Sequence, residues 1–389
     1  YARQMVQLDR GQNRDVPGET NALRFVPRGV AVVIPPWNFP LAIPCGMTSA
    51  ALVAGNTVIL KPAEQSPMMA WHLFEAFREA GLPDGVLNFL PGVGEEVGAA
   101  LVEDPRIHLI AFTGSKAVGL GINRVASEVK PGQNHVKRVI AEMGGKNAII
   151  VDDDADLDEA VVGVLLSAFG YSGQKCSACS RAVVLEGVYD AFLKRLTEGA
   201  LALTVGPAED PDTVVPPLID AEARERVLEY QRVAAREGRV VARVAAGSGA
   251  IASGQYVPAL IVADVDPSAR IAQEEIFGPV LAVLKASDLD DALAVANGTN
   301  YALTGGLYSR SPQHIERVKR AFQVGNLYIN RTITGALVDR QPFGGFKLSG
   351  LGTKAGGPEY LLEFLLPRTL TENTLRRGFA PEVESAEGV

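Results

Sequence analysis

The sequence is poor in cysteine and histidine and has no long uninterrupted apolar run. Its 389 residues include three cysteines and four histidines. Three cysteines are too few, and odd in number, for a disulfide scaffold, so the sequence predicts a reducing compartment, the cytoplasm. The longest apolar candidate, GVAVVIPPWNFPLAIPCGM, is broken by four prolines. We therefore expect no transmembrane helix.

The charge and the length narrow the class of protein further. A net charge of -8, with acidic and basic residues interspersed, argues against a nucleic-acid partner, which would require a clustered basic face. Small molecules are the expected ligands. The length exceeds that of a single hydrophobic core, so we expect two domains. The first residues, YARQMVQLDRGQN, have the pattern of a helix, not of a signal peptide, and we expect further sequence upstream.

From residue 25, short β-branched runs alternate with helical periodicities. A helix is predicted from Leu41 to Val53, and another in SPMMAWHLFEAFREAG, with Ser66 as N-cap, Pro67 in the first turn and Gly81 as the stop. Near-continuous apolar strands alternating with helices predict an α/β fold whose parallel sheet is covered on both faces. The predicted strands are GVAVVIP, NTVILKP, GVLNFLP, RIHLIAFTGS and NAIIVDD.

After about residue 155 the alternation restarts, which predicts a second α/β domain. A helix is predicted from Leu157 to Phe169, followed by the loop YSGQKCSACS, the strand RAVVLEG and the helix YDAFLKRLTEGAL. The leucine-rich YLLEFLLPRTLTEN near the end is predicted to be extended and to pack on another subunit or on the first domain. The last residues, RGFAPEVESAEGV, are predicted to be frayed.

Cys176 and Cys179 form a C-x-x-C spacing with several interpretations. A zinc site needs four ligands, but Cys45 stands alone and the histidines lack ligand spacing. A redox dithiol normally begins a helix, whereas a strand is predicted here. Two interpretations remain open: both thiols are buried core residues, or Cys176 is a nucleophile whose thiolate is favoured by Lys175.

Three further stretches place polar residues at predicted strand ends or turns. PPWNFP contains Asn38, EMGGKN contains Glu142, and EEIFGPV contains Glu275 and Phe277. In a parallel α/β sheet the carboxyl ends of the strands line the ligand crevice. Taken singly, each residue also has a simpler interpretation as a turn former, an exposed strand end or a helix cap.

Together and in order, these motifs resemble those of the aldehyde dehydrogenase superfamily, from about Arg24 to about Phe364. The motifs are PWNFP, KPAE, FTGS, EMGGK, GQKC, EEIFGPV and PFGGFKLSG. The resemblance implies an α/β fold with a Rossmann-type cofactor domain, a second α/β catalytic domain and a β oligomerisation segment. The expected boundaries are 24–144 for the NAD-binding domain, incomplete at its N-terminal side, 145–345 for the catalytic domain, 346–375 for the return segment and oligomerisation strand, and 376–389 for a flexible tail.

The resemblance also implies a chemistry in which no metal takes part. Cys176 would attack an aldehyde carbonyl, and the thiohemiacetal would lose hydride to become a thioester. The Asn38 amide and the Cys176 backbone N–H would stabilise the oxyanion. Glu142 would act as the general base that activates water for hydrolysis.

The cofactor implied by the resemblance is NAD. Gly92, Gly94 and Gly98 form a GxGxxxG, which departs from the usual dinucleotide fingerprint and is weak by itself. A carboxylate at Glu64 would accept both ribose hydroxyls and repel a 2′-phosphate, so NAD is preferred over NADP. The pyrophosphate is expected at a helix start. The residues assigned to the cofactor are Ile34, Pro36, Trp37, Lys61, Glu64, Gly94, Gly98, Gly114, Ser115, Glu275 and Phe277.

A closer resemblance, carried by GQKCSA, QEEIFGPVLAV and TGALVDRQPFGGFKLSG, is to the 1-pyrroline-5-carboxylate (glutamate 5-semialdehyde) dehydrogenases of proline catabolism. It implies that Ser177 and the N–H groups of Gly335 and Ala336 anchor the substrate carboxylate, while Phe39 and Phe343 flank its carbon chain. N–H donors with a hydroxyl can bind a carboxylate without a buried cation. The simpler interpretation of ITGAL is a tight turn.

The expected function is therefore NAD-dependent oxidation of glutamate 5-semialdehyde to glutamate by a homo-oligomer, with a proline dehydrogenase as a candidate partner. The alternatives are an aldehyde dehydrogenase for another semialdehyde and a catalytically silent, truncated homologue. The sequence departs from the superfamily at Met143, where leucine or threonine is more usual, and it lacks the superfamily's N-terminal portion.

Overall fold

The computed structural model describes residues 1–244 and 254–375, so the tail predicted at 376–389 lies outside the described residues. The helices are α1 (Ala2–Asp9), α2 (Ala42–Val53), α3 (Pro67–Glu79), α4 (Ala99–Glu103), α5 (Lys116–Ala126), α6 (Leu157–Phe169), α7 (Tyr189–Leu201), α8 (Ala221–Glu237), α9 (Arg270–Gln273), α10 (Leu289–Asn297) and α11 (Pro312–Ala321). Shorter helical turns cover Gly94–Gly98, Gly170–Gly173, Glu186–Val188 and Pro358–Phe364. Within these described ranges, none of the helices is long and apolar enough to cross a membrane.

The strands form two large sheets, a two-stranded sheet and a three-stranded sheet. In chain order they are β1 (Gln12–Asn13), β2 (Glu19–Pro27), β3 (Val30–Ile34), β4 (Thr57–Leu60), β5 (Leu87–Phe89), β6 (Leu109–Thr113), β7 (Arg138–Glu142), β8 (Asn147–Val151), β9 (Cys179–Leu185), β10 (Arg239–Val244), β11 (Ala259–Ala263), β12 (Val280–Ala286), β13 (Tyr301–Ala302), β14 (Thr304–Tyr308), β15 (Asn326–Ile329), β16 (Phe346–Lys347), β17 (Gly350–Leu351) and β18 (Leu365–Asn373). The two-stranded sheet is β13-β16, and the three-stranded sheet is β1-β2-β18.

The first large sheet has the order β17-β7-β6-β3-β4-β5 and is parallel except for β17 at its edge. Its central strand β3 buries Ala31, Val32 and Val33 completely, because side chains on both faces are covered. Helix α3 follows the predicted bounds. Ser66 occupies its N-cap position without a side-chain capping bond, and Gly81 follows its end with φ of 88°, which glycine adopts without strain.

The second large sheet has the order β10-β11-β12-β9-β8-β14-β15, and only β10 runs antiparallel to its neighbour. Helices α6 and α7 have the predicted bounds, and both pack on one face of this sheet. Strand β9 was predicted to begin after Cys179 but includes it. Cys179 is therefore a buried strand residue.

The segment predicted to be extended has two parts. Its first part forms the 3-10 turn Pro358–Phe364, so the prediction was wrong there. The turn places Tyr360, Leu361 and Phe364 in the core of the first sheet, which an extended chain with alternating side chains could not do. The second part, β18, pairs antiparallel with β2 over nine residue pairs, and most of its side chains are exposed.

A buried carboxylate fixes this returning segment to the first sheet. Glu363 accepts hydrogen bonds from the Arg138 guanidinium through one oxygen and from the Thr353 backbone N–H, at 2.9 Å, through the other. The Glu363 carbonyl also accepts a bond from Arg28 Nε at 2.7 Å. Only 5% of the Glu363 surface is exposed, so water cannot substitute for these partners.

Replacing Glu363 with glutamine should lower the free energy of unfolding by about 1–3 kcal/mol, because the amide keeps the shape but loses the charge-assisted bonds to Arg138. Urea denaturation followed by circular dichroism measures the change. The matched control is Glu359→Gln, an exposed carboxylate on the same turn, which should be nearly neutral. Equal stability of the two variants would contradict this role for Glu363.

Candidate active site

The predicted catalytic residues meet between the carboxyl ends of the first sheet and the amino ends of the second. Glu142 is the last residue of β7, and Asn38 follows β3. Cys176 shortly precedes β9, and Glu275 shortly precedes β12. The crevice expected at the carboxyl ends of parallel strands is thus closed on its other side by loops that enter the second sheet.

The loop before Cys176 begins with a left-handed turn. Tyr171, Ser172 and Gly173 have φ values of 63°, 55° and 67°. Such values are uncommon for residues other than glycine, and they persist only where surrounding contacts enforce them. Here the Ser172 hydroxyl donates to a backbone carbonyl, and the buried Gln174 side chain accepts a bond from the Ile219 N–H at 3.0 Å. The loop is therefore held in one conformation.

Asn38 is tied directly to the cysteine loop. Its Nδ2 donates to the Gln174 carbonyl at 3.0 Å, and only 6% of the residue is exposed. An amide NH2 has two hydrogens, so this bond leaves the second one available to another acceptor. The geometry suits a donor to an oxygen that develops charge beside Cys176.

Cys176 lies in an environment that opposes the thiolate. Burial raises the pKa of its thiol to about 12, and the Glu275 and Glu142 carboxylates add to the rise, while the N–H groups of Ser177 and Cys176 lower it. The expectation that Lys175 would favour the thiolate is wrong, because the side-chain charges that act on the sulfur are carboxylates. Lys175 is itself partly buried, and burial lowers its pKa.

Glu142 is a buried carboxyl group with a raised pKa. Burial raises the pKa to about 8, and the nearby Lys354 ammonium opposes that rise. Its Oε2 has no hydrogen-bond partner among the residues that the structure describes. A Cβ on Gly344 would lie 2.9 Å from Glu142 Oε1, so the glycine of PFGGFKLSG leaves the carboxyl group its space. A free carboxyl oxygen with a pKa near neutrality suits a general base.

The two glycines after Glu142 make room for Glu275. A Cβ on Gly144 would collide with the Glu275 carboxylate, and the Gly145 N–H donates to Glu275 Oε1 at 3.0 Å. Burial raises the pKa of Glu275 to about 6, against the opposing effect of that N–H. Phe277 has φ of 55°, and its ring meets the Trp37 indole edge-on with centroids 5.6 Å apart. The EMGGK and EEIFGPV motifs are therefore in direct contact.

A second group of predicted residues surrounds a cavity of about 320 Å³ beside the first sheet. Its lining includes Ile34, Lys61, Gly94 and Gly98. At its edge Lys61 Nζ bonds Glu64 Oε1 at 2.6 Å. An apolar cavity that ends in a carboxylate can take an adenosine group, with the carboxylate at the ribose hydroxyls.

The start of α5 provides an anion site near this cavity. The Ser115 hydroxyl caps the helix by accepting a bond from the Val118 N–H at 3.3 Å, and Gly114 precedes it. A Cβ on Gly114 would collide with the Phe112 ring at 2.5 Å, so a side chain does not fit there. Free N–H groups at a helix start favour phosphate, which fits a dinucleotide.

The structure ties the predicted substrate residues to Cys176 less directly than the predicted catalytic residues. Ser177 is 6% exposed and follows Cys176 directly. Gly335 is exposed in an irregular segment with φ of 80°, and Phe39 and Phe343 are partly buried. Within the described part of the chain, no hydrogen bond joins Gly335 or Ala336 to Cys176. Their role, like that of the partly buried Pro36, stays a prediction.

Sequence reasoning did not identify Lys354, which supplies the positive charge nearest Glu142. Its Nζ donates to the carbonyls of Gly325 and Gly344, at 2.7 and 2.6 Å, and to Asn326 Oδ1. Lys354 lies in GLGTKAGG, just after the PFGGFKLSG motif and outside the motifs named above. Its position between glycines next to that motif was the available signal.

The described residues contain one group of potential metal ligands, formed by Asp152, Asp153 and His314. It lies at the carboxyl end of β8, whereas Cys176 is near the amino end. Asp152 Oδ2 and His314 Nδ1 already bond each other at 2.7 Å, which raises the pKa of the histidine. The group has no part in the chemistry around Cys176.

Replacing Glu275 with glutamine should speed alkylation of Cys176 by iodoacetamide at pH 8, by up to about tenfold. Removing the carboxylate charge lowers the pKa of the thiol, and one pKa unit is a tenfold change in thiolate. Mass spectrometry of the Cys176 peptide measures the rate. The control is Glu274→Gln, since that carboxylate pairs with Arg270 and Tyr230 instead. A rate no higher than that of the unmodified chain would contradict the charge effect.

Comparison with known proteins places this geometry in a family. The aldehyde dehydrogenase family model matches residues 1–370. The 1-pyrroline-5-carboxylate dehydrogenase of Geobacillus sp. strain WCH70 is 51% identical over 375 residues, which are 96% of this chain and 72% of that protein. The 1-pyrroline-5-carboxylate dehydrogenase 2 of Bacillus subtilis strain 168 is 49% identical over 373 residues, with the same coverage.

Solved structures agree with these relatives. The 1-pyrroline-5-carboxylate dehydrogenase from Thermus with bound NAD superposes with a TM-score of 0.92 at 49% identity, over 95% of this chain and 72% of that chain. Proline utilization A from Bdellovibrio bacteriovorus gives 0.94 at 55% identity, over 97% of this chain and 39% of that chain. With its motifs brought together around Cys176, this chain belongs to the aldehyde dehydrogenase family.

Proposed function

We propose that this chain oxidises L-glutamate 5-semialdehyde, which forms from 1-pyrroline-5-carboxylate, to L-glutamate with NAD as the oxidant. The observation that carries the proposal is the placing of Asn38, Glu142 and the Cys176 loop at one buried point. Relatives at about half identity over 96% of the chain are named 1-pyrroline-5-carboxylate dehydrogenase, which supports the choice of substrate.

In the first half-reaction the Cys176 thiol gives its proton to the Glu142 carboxylate, which passes it on to solvent, and the sulfur bonds to the aldehyde carbon. The carbonyl oxygen takes up the electron pair and becomes an oxyanion. The second amide hydrogen of Asn38 and the Cys176 backbone N–H are the proposed donors to that oxygen. When bound, NAD would supply the oxidation as a hydride acceptor, which would leave a thioester on Cys176.

The second half-reaction releases the acid. Glu142, as a carboxylate, takes a proton from a water molecule whose oxygen attacks the thioester carbon. The carbon–sulfur bond then breaks, and Cys176 is freed while the product leaves as glutamate. The unpartnered Oε2 of Glu142 supports this assignment, since no other hydrogen-bond donor in the described structure occupies it.

The proposed cofactor residues are those around the 320 Å³ cavity and the start of α5, with Trp37, Glu275 and Phe277 toward the nicotinamide end. Partial burial of Glu64 would raise its pKa, but the Lys61 hydrogen bond and the backbone N–H groups outweigh this and lower it. Glu64 is therefore ionised at neutral pH and would repel a 2′-phosphate. This supports NAD over NADP.

The domain boundaries and the surroundings of the enzyme complete the proposal. We assign 24–144 to the NAD-binding domain, 145–345 to the catalytic domain and 346–375 to the return and oligomerisation segment. The exposed strand β18 supports a homo-oligomer, and three free cysteines support a cytoplasmic location. Two solved relatives are proline utilization A proteins, one of them called bifunctional, which supports a proline dehydrogenase as a functional partner.

Purified protein given glutamate 5-semialdehyde and NAD should produce reduced nicotinamide. The rise in its absorbance measures the rate. Cys176→Ser should abolish the signal, because a hydroxyl is a far weaker nucleophile than a thiol. The matched control is Cys179→Ala, since Cys179 is buried in β9 and should leave turnover largely intact.

Activity that survives Cys176→Ser would overturn the assigned nucleophile, and equal losses in both cysteine variants would favour a dithiol. Equal rates with glutamate, succinate and simple alkyl semialdehydes would contradict the carboxylate anchor at Ser177, Gly335 and Ala336. Failure of calorimetry to detect NAD binding would favour a catalytically silent protein.

The rate of thioester hydrolysis should depend on the ionisation of Glu142. Its folded pKa of about 8 lies above the ordinary value, so the active carboxylate form is lost as pH falls below about 8. We expect the hydrolysis rate to fall about tenfold per pH unit there. Single-turnover measurements from pH 6 to pH 9, read against the control Glu316→Gln, test this. Glu142→Gln should slow hydrolysis about 10²–10⁴-fold and remove the pH dependence.

A further inference from the structure

Every backbone carbonyl from Cys176 to Ala178 is held by a buried side chain. Asn147 Nδ2 donates to the Cys176 carbonyl at 2.8 Å and to the Ala178 carbonyl at 2.8 Å. The Thr304 hydroxyl donates to the Ser177 carbonyl at 3.2 Å. The two holding residues are also joined, because the Thr304 N–H donates to Asn147 Oδ1 at 3.0 Å.

These bonds fix the peptide group that faces the nucleophilic sulfur. The Cys176 carbonyl and the Ser177 N–H belong to one planar peptide, and in a trans peptide they point in opposite directions. The Ser177 N–H acts on the Cys176 thiol by lowering its pKa. Holding the carbonyl on one side of the peptide therefore also fixes the direction of this N–H on the other side.

Both donors are buried and closely packed, so water cannot replace their hydrogen bonds to the loop carbonyls. Asn147 is 3% exposed and Thr304 is 1% exposed. A Cβ on Gly145 would lie 2.7 Å from the Cys176 carbonyl oxygen and 2.6 Å from Asn147 Oδ1. Glycine at 145 thus permits the contact, and a lost donor at 147 would leave two buried carbonyls unpaired.

We propose that Asn147, supported by Thr304, is a positioning residue that orients the Ser177 N–H toward the Cys176 sulfur. Asn147 also begins β8 opposite Cys179, which gives it an ordinary structural place. That place does not require its two donor hydrogens to go to the nucleophile loop. The inference rests on the proposed function only in taking Cys176 as the nucleophile.

The test is the pH profile of Cys176 alkylation by iodoacetamide, measured by mass spectrometry without substrate or cofactor. The charged groups that act on the sulfur are Glu142 at the end of β7 and Glu275 before β12. Lys175 is the charged residue next to Cys176 on the loop itself. All three stay unchanged in the variants. In Asn147→Ala we expect slower alkylation at pH 8, by about three- to tenfold, and a profile displaced to higher pH.

Thr304 offers a matched pair if Asn147→Ala folds poorly. Thr304→Val keeps the shape and removes the hydroxyl, so it should slow alkylation, whereas Thr304→Ser keeps the donor and should restore the original rate. In turnover assays Asn147→Ala and Thr304→Val should lower kcat with the NAD dissociation constant unchanged, and Thr304→Ser should leave both unchanged. A purely structural role would lower thermal stability without moving the alkylation profile.

An alkylation profile in folded Asn147→Ala equal to that of the unmodified chain would overturn the proposal. Equal rates in Thr304→Val and Thr304→Ser would do so as well. Alkylation requires no turnover, so the two tests are independent. A chain that fails to oxidise glutamate 5-semialdehyde would contradict the proposed function, whereas the alkylation profile would still test the role of Asn147.

Discussion

The close burial of one thiol and two carboxyl groups is the constraint on which the rest of the site depends. Cys176, Glu142 and Glu275 each have a raised pKa, first because burial removes part of their contact with water, and for the thiol also because the carboxylates repel a third negative charge. Such groups cannot all be ionised together. The backbone N–H groups of Ser177 and Cys176 oppose this by lowering the pKa of the thiol, and the Asn38 amide bonds to the loop that carries it.

The surrounding fold provides the room and the rigidity for that arrangement. Glycines 144 and 145 admit the Glu275 carboxylate and the Cys176 carbonyl, and Gly344 leaves space at Glu142. The left-handed turn before Cys176 is held by Ser172 and Gln174. Because the carboxyl ends of the first sheet face the amino ends of the second, the two sheets contribute different parts. The first contributes Glu142 and the 320 Å³ cavity, and the second contributes the loop that carries Cys176.

Much of this organisation could be predicted from the sequence, because it is recorded in local patterns. Helices α6 and α7 carry clear apolar periodicity, and the motif residues are adjacent to strand ends. The errors have non-local causes. The effect of Lys175 depended on which charges face the sulfur, and the 3-10 turn at Pro358–Phe364 depended on a core made by distant strands. Asn147 was overlooked because its partners lie on two other segments of the chain.

The pairing of β18 with β2 has a consequence for how the chain is made. Residues 365–373 lie opposite residues 19–27, and β17 at 350–351 completes the edge of the first sheet beside β7. Tyr360 and Phe364 fill the core beneath that sheet. On the ribosome residues appear in order. The part of the chain that forms the first large sheet therefore has an unpaired edge and an incomplete core until residues 350–373 have been synthesised. The half that is made first is the last to be finished.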